Sequence, residues 1–241
     1  MALPNILKPK FQAEMIRVGG DSDGAYLVGI NSIIQAKNLI SYGIHDDWRF
    51  EKNFHTLNKS CNLSLYDDIL DFSFLVIKLL KQLVKFFLFK KNYLGRSIKN
   101  IFSYFFFCRG IYNKKKIKGS DVLSNEKLSE IFFKIDIEGS EYELLNNLII
   151  IQDKIVGLVI EFHDLDKNIQ KVINFIKNFK LDLIHIHPNN FGVLDKNLDP
   201  TVIELTFEKN SNIISLNYIH PNKLDINNNL KNEEIFLKFK N

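Results

Sequence analysis

The stretch FFKIDIEGSEYELL, residues 132–145, contains the change from strand to helix that decides the fold. Its first half is apolar on both faces, as strands buried in a parallel sheet are. Its second half has Ser140 as a candidate helix N-cap and Glu143 three residues later, the spacing of a capping box. One apolar stripe at helical spacing follows: Leu144, Leu145 and Leu148. The stretch therefore predicts a buried strand that ends at Asp136 and Glu138 and leads directly into a helix.

The same alternation of strand and helix recurs along most of the chain. Apolar runs that end in polar residues predict further strands at residues 37–44, 61–68, 154–164, 181–188 and 201–209. Apolar residues at helical spacing predict helices at residues 46–58 and 168–179. Near the N-terminus, the glycine-containing residues 16–28 predict a hairpin or a loop. Such alternation is typical of a doubly wound α/β sheet.

The composition fits one globular domain over residues 1–241. With 241 residues, of which 46% are hydrophobic, the chain can bury a single large core. Cys61 and Cys108 lie at a spacing that predicts neither a disulfide framework nor a zinc knuckle, so a reducing, cytoplasmic setting is expected. The first residues lack the basic start and continuous apolar stretch of a secretory signal, so no export is expected.

Residues 72–119 form a basic, aromatic-rich segment that differs from the rest of the chain. Twelve of the 32 basic residues and no acidic residue lie between Phe72 and Lys118, which leaves 20 basic against 28 acidic residues elsewhere. Lysines and apolar residues follow helical spacing on different sides, which predicts an amphipathic helix and not a membrane span. We interpret the segment as an insertion within the domain.

Four roles are open for this basic segment. It could pack on its own core, lie peripherally on the anionic inner membrane surface, bind a polyanionic glycan, or cover the active site as a lid. Nucleic-acid binding is not expected, because no recognised nucleic-acid module accompanies the charge.

Polar residues close most of the predicted strands. In doubly wound sheets, ligands bind beyond the carboxyl ends of the strands. The residues at those ends are, strand by strand, Tyr42, Gly43, Ile44 and His45; Asp67 and Asp68; Asp136 and Glu138; Glu161 and His163; and His185 and His187. The set predicts a binding crevice along one edge of the sheet.

Two of these strand ends suggest a nucleoside cofactor. Gly43 lacks a Cβ, which lets a ligand approach the backbone, although a tight turn between strand and helix would need the same residue. Asp67 closes the next strand, where nucleoside-binding α/β proteins place the carboxylate that binds the ribose hydroxyls. The stretch SYGIHDDW, residues 41–48, lacks the further glycines of a dinucleotide fingerprint. An NAD-dependent sugar-nucleotide enzyme is therefore the least favoured interpretation.

Three strand ends each have two carboxylate or imidazole groups at i, i+2 spacing, which places both groups on one side of an extended backbone. These pairs are Asp136 with Glu138, Glu161 with His163, and His185 with His187. Such groups suit either deprotonation of a hydroxyl or binding of a divalent ion, and the spacing does not choose between them. For Glu138, the alternative is a role at the positive end of the next helix.

Several motifs, in this order along the chain, resemble those of the FkbM-like methyltransferases, a family of S-adenosylmethionine-dependent enzymes. They are RVGGDSDGAYLV (17–28), YGIHDDWRFE (42–51), the strand ending at Asp67, FKIDIEGSEYELL (133–145), IEFHDL (160–165), HIHPNNFG (185–192) and PTVIELTF (200–207). The sequence departs from the family pattern at His45, where a glycine is common in the cofactor loop, and at Ala25, where relatives have the second glycine of DGGY. The basic segment has no counterpart in this resemblance.

The resemblance implies a seven-stranded Rossmann-like fold of the class I methyltransferase type. It also implies transfer of the methyl group of S-adenosylmethionine, usually to a hydroxyl of a small molecule or of a bacterial surface glycan. The residues that it assigns to the cofactor are Tyr42, Gly43, Ile44, His45 and Glu51, with Asp67 on the ribose. The residues that it assigns to the reacting crevice are Asp136, Glu161, His163 and His187.

Methyl transfer requires alignment of donor and acceptor and removal of the acceptor's proton. We predict His163 as the base, with Glu161 or Asp136 orienting it. In the competing arrangement, Asp136, Glu161 and a histidine hold Mg²⁺, which lowers the pKa of the acceptor hydroxyl. A second hypothesis is a non-catalytic α/β module that docks to a membrane or a partner through residues 72–119. The glycine-poor cofactor loop favours that hypothesis, and the acids and histidines oppose it.

Overall fold

The computed structural model describes residues 2–21, 23–89 and 94–240. Ser22 of the predicted hairpin and residues 90–93 of the predicted insertion lie outside the described residues. In chain order, the strands and helices are β1 (Gln12–Ala13), β2 (Met15–Val18), β3 (Tyr26–Gly29), α1 (Ile30–Gln35), β4 (Asn38–Tyr42), α2 (Arg49–Leu57), β5 (Asn62–Asp67), α3 (Phe72–Phe89), α4 (Leu94–Ser103), β6 (Tyr112–Lys114), α5 (Gly119–Leu123), β7 (Ile131–Ile135), α6 (Leu145–Ile150), β8 (Ile155–Phe162), α7 (Leu165–Asn178), β9 (Asp182–Pro188), β10 (Ile203–Glu208) and β11 (Ile213–Ser215). Short 3-10 turns lie at Asn5–Leu7, Glu141–Glu143 and Gln152–Lys154, and a π-helical turn lies at Tyr104–Cys108.

Seven strands form the central sheet, in the order β6-β5-β4-β7-β8-β10-β9. Neighbours from β6 to β8 are parallel, whereas β10 lies antiparallel between β8 and β9. The chain runs outward from β4 to β6 and then returns to β7 on the other side of β4. This reversal makes the boundary between β4 and β7 a topological switch point. The predicted Rossmann-like doubly wound sheet is confirmed, and each predicted strand is present.

Apolar layers cover both faces of the sheet. On one face, Phe133 and Ile135 of β7 pack with residues of α5, α6 and α7. On the other face, Phe132 packs with Phe50 and Phe54 of α2 and with residues of α1. Every residue of β7 and β8 is buried. Burial on both faces explains why these two strands are continuous apolar runs in the sequence.

The direction of β10 does not follow from its residue pattern. All of its residues are buried, as in the parallel strands. However, residues 189–202 turn the chain back at the end of β9, so that β10 pairs antiparallel with both β9 and β8. The beginning of β10 therefore lies at the same edge of the sheet as the carboxyl ends of β8 and β9.

The chain after β7 differs from the prediction. Ser140 makes no side-chain capping bond, and α6 begins only at Leu145, after a 3-10 turn. The predicted capping box of Ser140 and Glu143 is therefore wrong. The fully buried Glu141 carboxylate accepts a hydrogen bond at Oε2 from the amide of Gly139, the residue before the turn, at 2.8 Å.

The basic segment includes part of the central sheet. Its helices α3 and α4 connect β5 to β6, and β6, the edge strand of the sheet, begins at Tyr112. That the segment is an insertion stays a prediction. Leu75 of α3 and Cys108 pack on Ile44 and Trp48 in a separate apolar cluster. The predicted amphipathic helix is confirmed as α3. Among the described residues, no helix combines the length and hydropathy that a membrane crossing requires.

Residues 16–28 form the predicted hairpin. β2 and β3 pair antiparallel from Met15 with Gly29 to Val18 with Tyr26. The hairpin lies on the sheet, where the Thr206 hydroxyl of β10 donates a hydrogen bond to the Leu27 carbonyl at 2.7 Å. This position brings the loop between β2 and β3 to the carboxyl edge of the parallel strands.

Candidate functional site

The register of the sheet places one residue of each strand in a row at the carboxyl edge of the parallel strands. These residues are Lys114, Asp67, Gly43, Asp136, Glu161, Glu204 and His187. Asp67 pairs directly with Lys114, and Glu204 pairs directly with both Glu161 and His187. Gly43 and Asp136 each follow the last residue of a paired strand, Tyr42 and Ile135. Because residues in register point to one face, the row concentrates polar groups there.

A cavity of about 290 Å³ opens at this edge, at the switch point between β4 and β7. The loops after β4, β5, β6 and β7 line it with Gly43, His45, Tyr66, Asp67, Asp68, Ile69, Lys115, Lys116, Ile117, Asp136, Ile137, Glu138 and Ser140. Its volume lies near the lower end of the range for small-molecule pockets. Because acidic and basic side chains both line it, the cavity suits a ligand that carries both charges.

The backbone of the first loop requires Gly43. Its φ is 77°, in the left-handed region, and a Cβ here would overlap the Asp136 carbonyl oxygen. The Gly43 amide donates to the Tyr66 carbonyl at 2.9 Å, and the Gly43 carbonyl accepts from Lys134 Nζ at 2.6 Å. Gly43 therefore joins the ends of three strands, and its own amide is already occupied.

His45 also has a left-handed backbone, with a φ of 48°. Non-glycine residues adopt this region at a cost, so the position favours glycine. The His45 ring stacks on Phe74 of α3, with 6.4 Å between the ring centroids. The departure from the family pattern at His45 is thus a side-chain change on a glycine-like backbone.

Asp67 organises the loop after β5. Its Oδ2 accepts a hydrogen bond from the His45 amide, and its Oδ1 accepts two from the amides of Ile69 and Leu70, all at 2.8 Å. A carboxylate offers about four acceptor positions, so about one remains for a ligand. Asp68 is exposed at the cavity, and no described residue donates a hydrogen bond to its carboxylate. Asp68 is therefore better placed than Asp67 to accept two hydroxyls at once.

A buried polar cluster supports Gly43 from behind. The Ser41 hydroxyl donates to Glu51 Oε1 at 2.5 Å, and Lys134 Nζ lies 3.5 Å from Asp136 Oδ2. Both Glu51 and Lys134 are almost completely buried. Burial raises the pKa of Glu51, and the charge of Lys134 partly opposes that shift. The cluster links the ends of β4 and β7, so Glu51 acts on the cavity only through the strands that it supports.

Tyr26 connects the two carboxylates beside the cavity. Its hydroxyl lies 3.1 Å from Asp136 Oδ2 and 3.4 Å from Glu161 Oε2, within donor range of both. Burial raises the pKa of Tyr26 well above its usual value, and the two carboxylates raise it further, so the hydroxyl remains protonated. Asp136 lines the cavity, whereas Glu161 is buried behind it. Burial, together with Asp136, raises the pKa of Glu161 to about 8.

His163 lies among three carboxylates. Its Nδ1 is 3.4 Å from Glu141 Oε1, and its Nε2 is 3.3 Å from Glu161 Oε1 and 3.4 Å from Glu138 Oε2. Burial alone would lower the pKa of His163, but Glu141 and Glu161 raise it to about 11. The ring is therefore an imidazolium at neutral pH. An imidazolium has no free lone pair, so these contacts do not favour His163 as the general base, and that role stays a prediction.

The predicted Mg²⁺ arrangement fits these residues poorly. Ligand atoms of Asp136, Glu161 and His163 do lie within 4.8 Å of one another. A metal there would have to displace the proton of His163, which Glu141 and Glu161 favour. Tyr26 is within hydrogen-bond range of both carboxylates, and Asn189 Nδ2 donates to Glu161 Oε1 at 3.0 Å. The arrangement suits proton binding better than metal binding.

The three predicted pairs do not converge on one crevice. The backbone leaves the extended conformation after Ile135, and Glu138 has a φ of 52° with an exposed side chain. His185 and His187 form a separate cluster with Asp225, a residue of the C-terminal segment. Asp136 and Glu138 nevertheless both line the cavity, and Glu138 Oε2 lies 3.4 Å from His163 Nε2, so the first two pairs meet there through the turn after β7 and not through an extended strand.

Amide side chains bridge the two clusters. Asn189 Nδ2 donates to Glu161 and lies 3.3 Å from Asp23 Oδ1, which also accepts from Asn228 Nδ2 at 3.1 Å. Asn228 in turn bonds to Glu204 at 2.7 Å and to His187 Nε2 at 3.0 Å. His187 is thus connected to Glu161 through this network and through Glu204, and it is not among the residues that line the cavity.

The structure divides the predicted site residues into three groups. The cavity is lined by Gly43, His45, Asp67 and Asp136. Adjacent to it, but buried behind Asp136, lie Glu161 and His163. Away from the lining lie Tyr42, Ile44, Glu51 and His187. The Tyr42 hydroxyl points to the opposite side, 3.4 Å from the Asp121 carbonyl.

Sequence reasoning missed several residues of the site. They are Asp23, Tyr26, Lys134, Glu141, Asn189, Glu204, Asn228 and the cavity lysines Lys115 and Lys116. A lysine inside the apolar strand IFFKI was a usable signal, because a buried lysine needs partners. The asparagines at residues 189–190 and 227–229 gave no such signal in the sequence, since their contacts depend on the path of the chain.

Comparison with known proteins leaves the family open. No protein family model matches the chain, and no curated protein matches it. Among solved structures, it is similar to a fibrillarin/Nop5p complex (7% identity, 73% of this chain and 73% of that chain covered, TM-score 0.38). It is also similar to M. capricolum TrmK bound to S-adenosyl-homocysteine (13%, 82% and 74%, TM-score 0.39). A third is a precorrin-6y C5,15-methyltransferase from Geobacter metallireducens (10%, 74% and 86%, TM-score 0.38). At these identities and TM-scores, none of the three assigns an activity to this chain.

Proposed function

We propose that this protein is an S-adenosylmethionine-dependent methyltransferase. The observation that carries the proposal is the cavity at the switch point between β4 and β7, which is lined by the partly exposed Asp136, with the buried Glu161 behind it. Open α/β sheets bind nucleotides at this position. The motif resemblance, which runs from Arg17 to Phe207, supplies the identity of the cofactor.

Different residues of the cavity would bind different parts of the cofactor. Asp68, exposed after β5, would accept the ribose hydroxyls, while Asp67 holds the loop in place through its three amide contacts. Lys115 and Lys116 provide positive charge at the same cavity for the cofactor carboxylate. Asp136 lies on the far side of Gly43, where a carboxylate would stabilise the sulfonium.

The acceptor in this proposal is a hydroxyl of a glycan or small molecule. In this proposal the proton acceptor is a carboxylate, because Glu141 and Glu161 favour the imidazolium form of His163. Among the carboxylates that line the cavity we assign this role to Asp136, which lies beside Tyr26 and Lys134. Tyr26 positions Asp136 through its hydroxyl, and Lys134, with Nζ 3.5 Å from Asp136 Oδ2, balances its charge. Mg²⁺ on Asp136, Glu161 and His163 is the competing arrangement, and it requires loss of the His163 proton.

Calorimetric titration with S-adenosylhomocysteine tests the cofactor. We expect one site per chain in the wild type and about 10-fold or greater weakening in Asp68→Asn, since a ribose hydroxyl loses a charged acceptor. Asp182→Asn is the matched control, because Asp182 is an exposed acid at the opposite end of β9. Failure of the folded wild type to bind S-adenosylhomocysteine would overturn the proposal.

Methyl transfer itself can be measured without a known acceptor. Tritiated S-adenosylmethionine is incubated with pools of glycans, lipids and small alcohols, and the label is followed into product. Asp136→Asn should bind S-adenosylhomocysteine but abolish transfer, because the amide cannot accept the proton. Transfer that survives in Asp136→Asn would assign the base elsewhere, and label on nitrogen or carbon would exclude O-methylation.

We also propose that α3 and α4 attach the protein peripherally to an anionic membrane. Large apolar side chains are exposed at helical spacing on both helices: Ile77, Leu80, Val84 and Phe87 on α3, and Ile98 and Phe102 on α4, followed by Phe105 and Phe106. Phe87 is 77% exposed and Phe106 is 86% exposed. Lys81 and Lys85 are exposed on the same helix as the first stripe. Exposed apolar stripes beside lysines, without any acid from Phe72 to Lys118, suit an anionic lipid surface.

Vesicle flotation tests the membrane proposal. The wild type should float with vesicles that contain anionic lipid and remain in solution with zwitterionic vesicles. The combined change Leu80→Ser and Phe87→Ser should abolish flotation, whereas Leu57→Ser, at an exposed leucine of α2, should not. Self-association of the wild type that disappears in the double variant, without flotation of the wild type, would assign this face to a second copy of the chain instead.

A further inference from the structure

The cluster of His185, His187 and Asp225 lies outside the cavity and has no role in the proposed methyl transfer. His185 and His187 are two residues apart on β9, so both imidazoles point to one face of the sheet. Asp225 reaches them from the C-terminal segment, residues 216–240, which lies beyond β11. All three side chains are buried. Two imidazoles and a carboxylate gathered from distant parts of the chain form a typical ligand set for a transition metal.

The ligand atoms of the cluster are close enough together to share one metal ion, and the shortest separation also fits an ion pair between His185 and Asp225. His185 Nε2 lies 3.0 Å from Asp225 Oδ1, and His187 Nδ1 lies 3.7 Å from the same oxygen. Neither ring nitrogen of His185, nor Nδ1 of His187, has a hydrogen-bond partner among the described residues. In a tetrahedral site with metal–ligand bonds of 2.0–2.1 Å, neighbouring ligand atoms lie about 3.3 Å apart. The two observed separations lie on either side of that value.

Surrounding hydrogen bonds orient these groups as the partners of metal ligands do. Nε2 of His187 bonds to Asn228 Oδ1 at 3.0 Å. Asn228 Nδ2 donates to Glu204, which leaves its oxygen as the acceptor, so His187 carries its proton on Nε2. Nδ1 of His187 then faces Asp225 Oδ1 at 3.7 Å. Asp225 Oδ2 accepts from the Asn222 amide at 2.8 Å, which leaves Oδ1 for the two histidines. Such outer contacts fix the tautomer and direction of metal ligands.

A further imidazole belongs to the same buried environment. His220 also has two buried ring nitrogens without a hydrogen-bond partner among the described residues. His220 belongs to the same C-terminal segment as Asp225 and is a candidate for a further ligand.

The geometry points to a divalent transition-metal site, best suited to Zn²⁺, in which His185, His187 and Asp225 are ligands. The ion fixes the C-terminal segment to β9. This site is separate from Asp136 and Glu161 and does not depend on the proposed methyl transfer. Borderline imidazole and carboxylate ligands select Zn²⁺ over Mg²⁺, which prefers oxygen ligands and retains waters. Binding releases a proton wherever a histidine ligand starts out charged, so affinity should rise with pH.

Cobalt titration of the full chain, without an affinity tag, tests the site. The purified protein is first analysed for bound metal, then stripped with a chelator and titrated with Co²⁺. We expect one equivalent to bind with Kd below about 1 µM and to give the visible absorption of four-coordinate Co²⁺. His185→Gln and Asp225→Asn should each lose this binding. His55→Gln, on α2, and His163→Gln should both retain it, and retention in the latter separates this site from the cluster at Asp136.

A second measurement does not depend on the variants folding. Zn²⁺ should raise the unfolding midpoint of the stripped wild type and protect Lys223 and Lys231 of the C-terminal segment from trypsin, because the ion binds only the folded chain. His220→Gln reports whether His220 completes the ligand set, since only a ligand changes the Co²⁺ spectrum. A stripped, folded wild type that binds neither Co²⁺ nor Zn²⁺ at 1:1 would overturn the proposal, as would unchanged binding in folded His185→Gln.

Discussion

Nε2 of His163 and Oε1 of Glu161 lie 3.3 Å apart at the end of one strand, in an environment that shifts both groups toward protonation. Burial raises the pKa of Glu161 to about 8. Burial acts in the opposite direction on His163, but Glu141 and Glu161 raise its pKa to about 11. Glu161 and His163 therefore bind more protons in the folded protein than they would in the unfolded chain.

His163 should remain an imidazolium across the physiological pH range. In ¹⁵N-resolved imidazole spectra, the signals that disappear in His163→Gln should keep imidazolium shifts up to about pH 9, because the flanking carboxylates stabilise the charge. A titration midpoint of His163 near the ordinary histidine value of about 6.5 would support His163 as the base.

Thermal stability should fall as the pH rises from about 5 to 9. The folded-state pKa of Glu161 is about 8 and that of Glu204 is about 7, both raised mainly by burial. Above their unfolded values of about 4.5, the native state binds more protons than the unfolded state, so the free energy of unfolding decreases with pH. The raised pKa of His163 acts in the same direction, since its stabilisation is complete below about 6.5 and is lost toward its folded pKa of about 11.

Calorimetric unfolding midpoints measured across this pH range check the effect. Glu161→Gln should flatten the slope, because the amide has no proton to lose. Glu143→Gln changes an exposed acid of the adjacent 3-10 turn and should leave the slope unchanged. A wild-type midpoint that rises with pH would contradict the raised pKa values of the two acids.

Gly43→Ala should destabilise the fold strongly. The left-handed φ of 77° costs a non-glycine residue about 1–2 kcal/mol, and the overlap with the Asp136 carbonyl adds about 1–3 kcal/mol. Urea unfolding should show a loss of about 2–5 kcal/mol. Gly95→Ala is the control: no atom lies near the added methyl and the residue is in α4, so stability should be unchanged or rise by up to about 1 kcal/mol.

Substitution of Asp67 should lower the stability of the fold, whereas substitution of Asp68 should leave that stability nearly unchanged and weaken ligand binding. Asp67→Asn replaces one of the two acceptor oxygens by a donor facing backbone amides, so it should cost about 1–3 kcal/mol in urea unfolding. Asp68→Asn should remain within about 0.5 kcal/mol of the wild type, since Asp68 is exposed. The reverse order of stabilities would assign the supporting role to Asp68.

The sequence alone determined the order of strands and helices and the residues that end each strand. Apolar runs such as IFFKI and GLVIEF must be buried on both faces, and the polar residues after them must lie at one edge of a parallel sheet. These statements depend only on local patterns and on the geometry that parallel strands share. They placed Gly43, Asp67 and Asp136 at the cavity.

Only the tertiary structure decided which of those residues act together and in which charge state. The antiparallel direction of β10 aligned Glu204 with Glu161 and His187, and the path of the C-terminal segment brought Asp225 to β9. The charge of His163 follows from three carboxylates and partial burial. Such pKa values depend on burial and on contacts between residues distant along the chain, so residue types and spacing do not determine them.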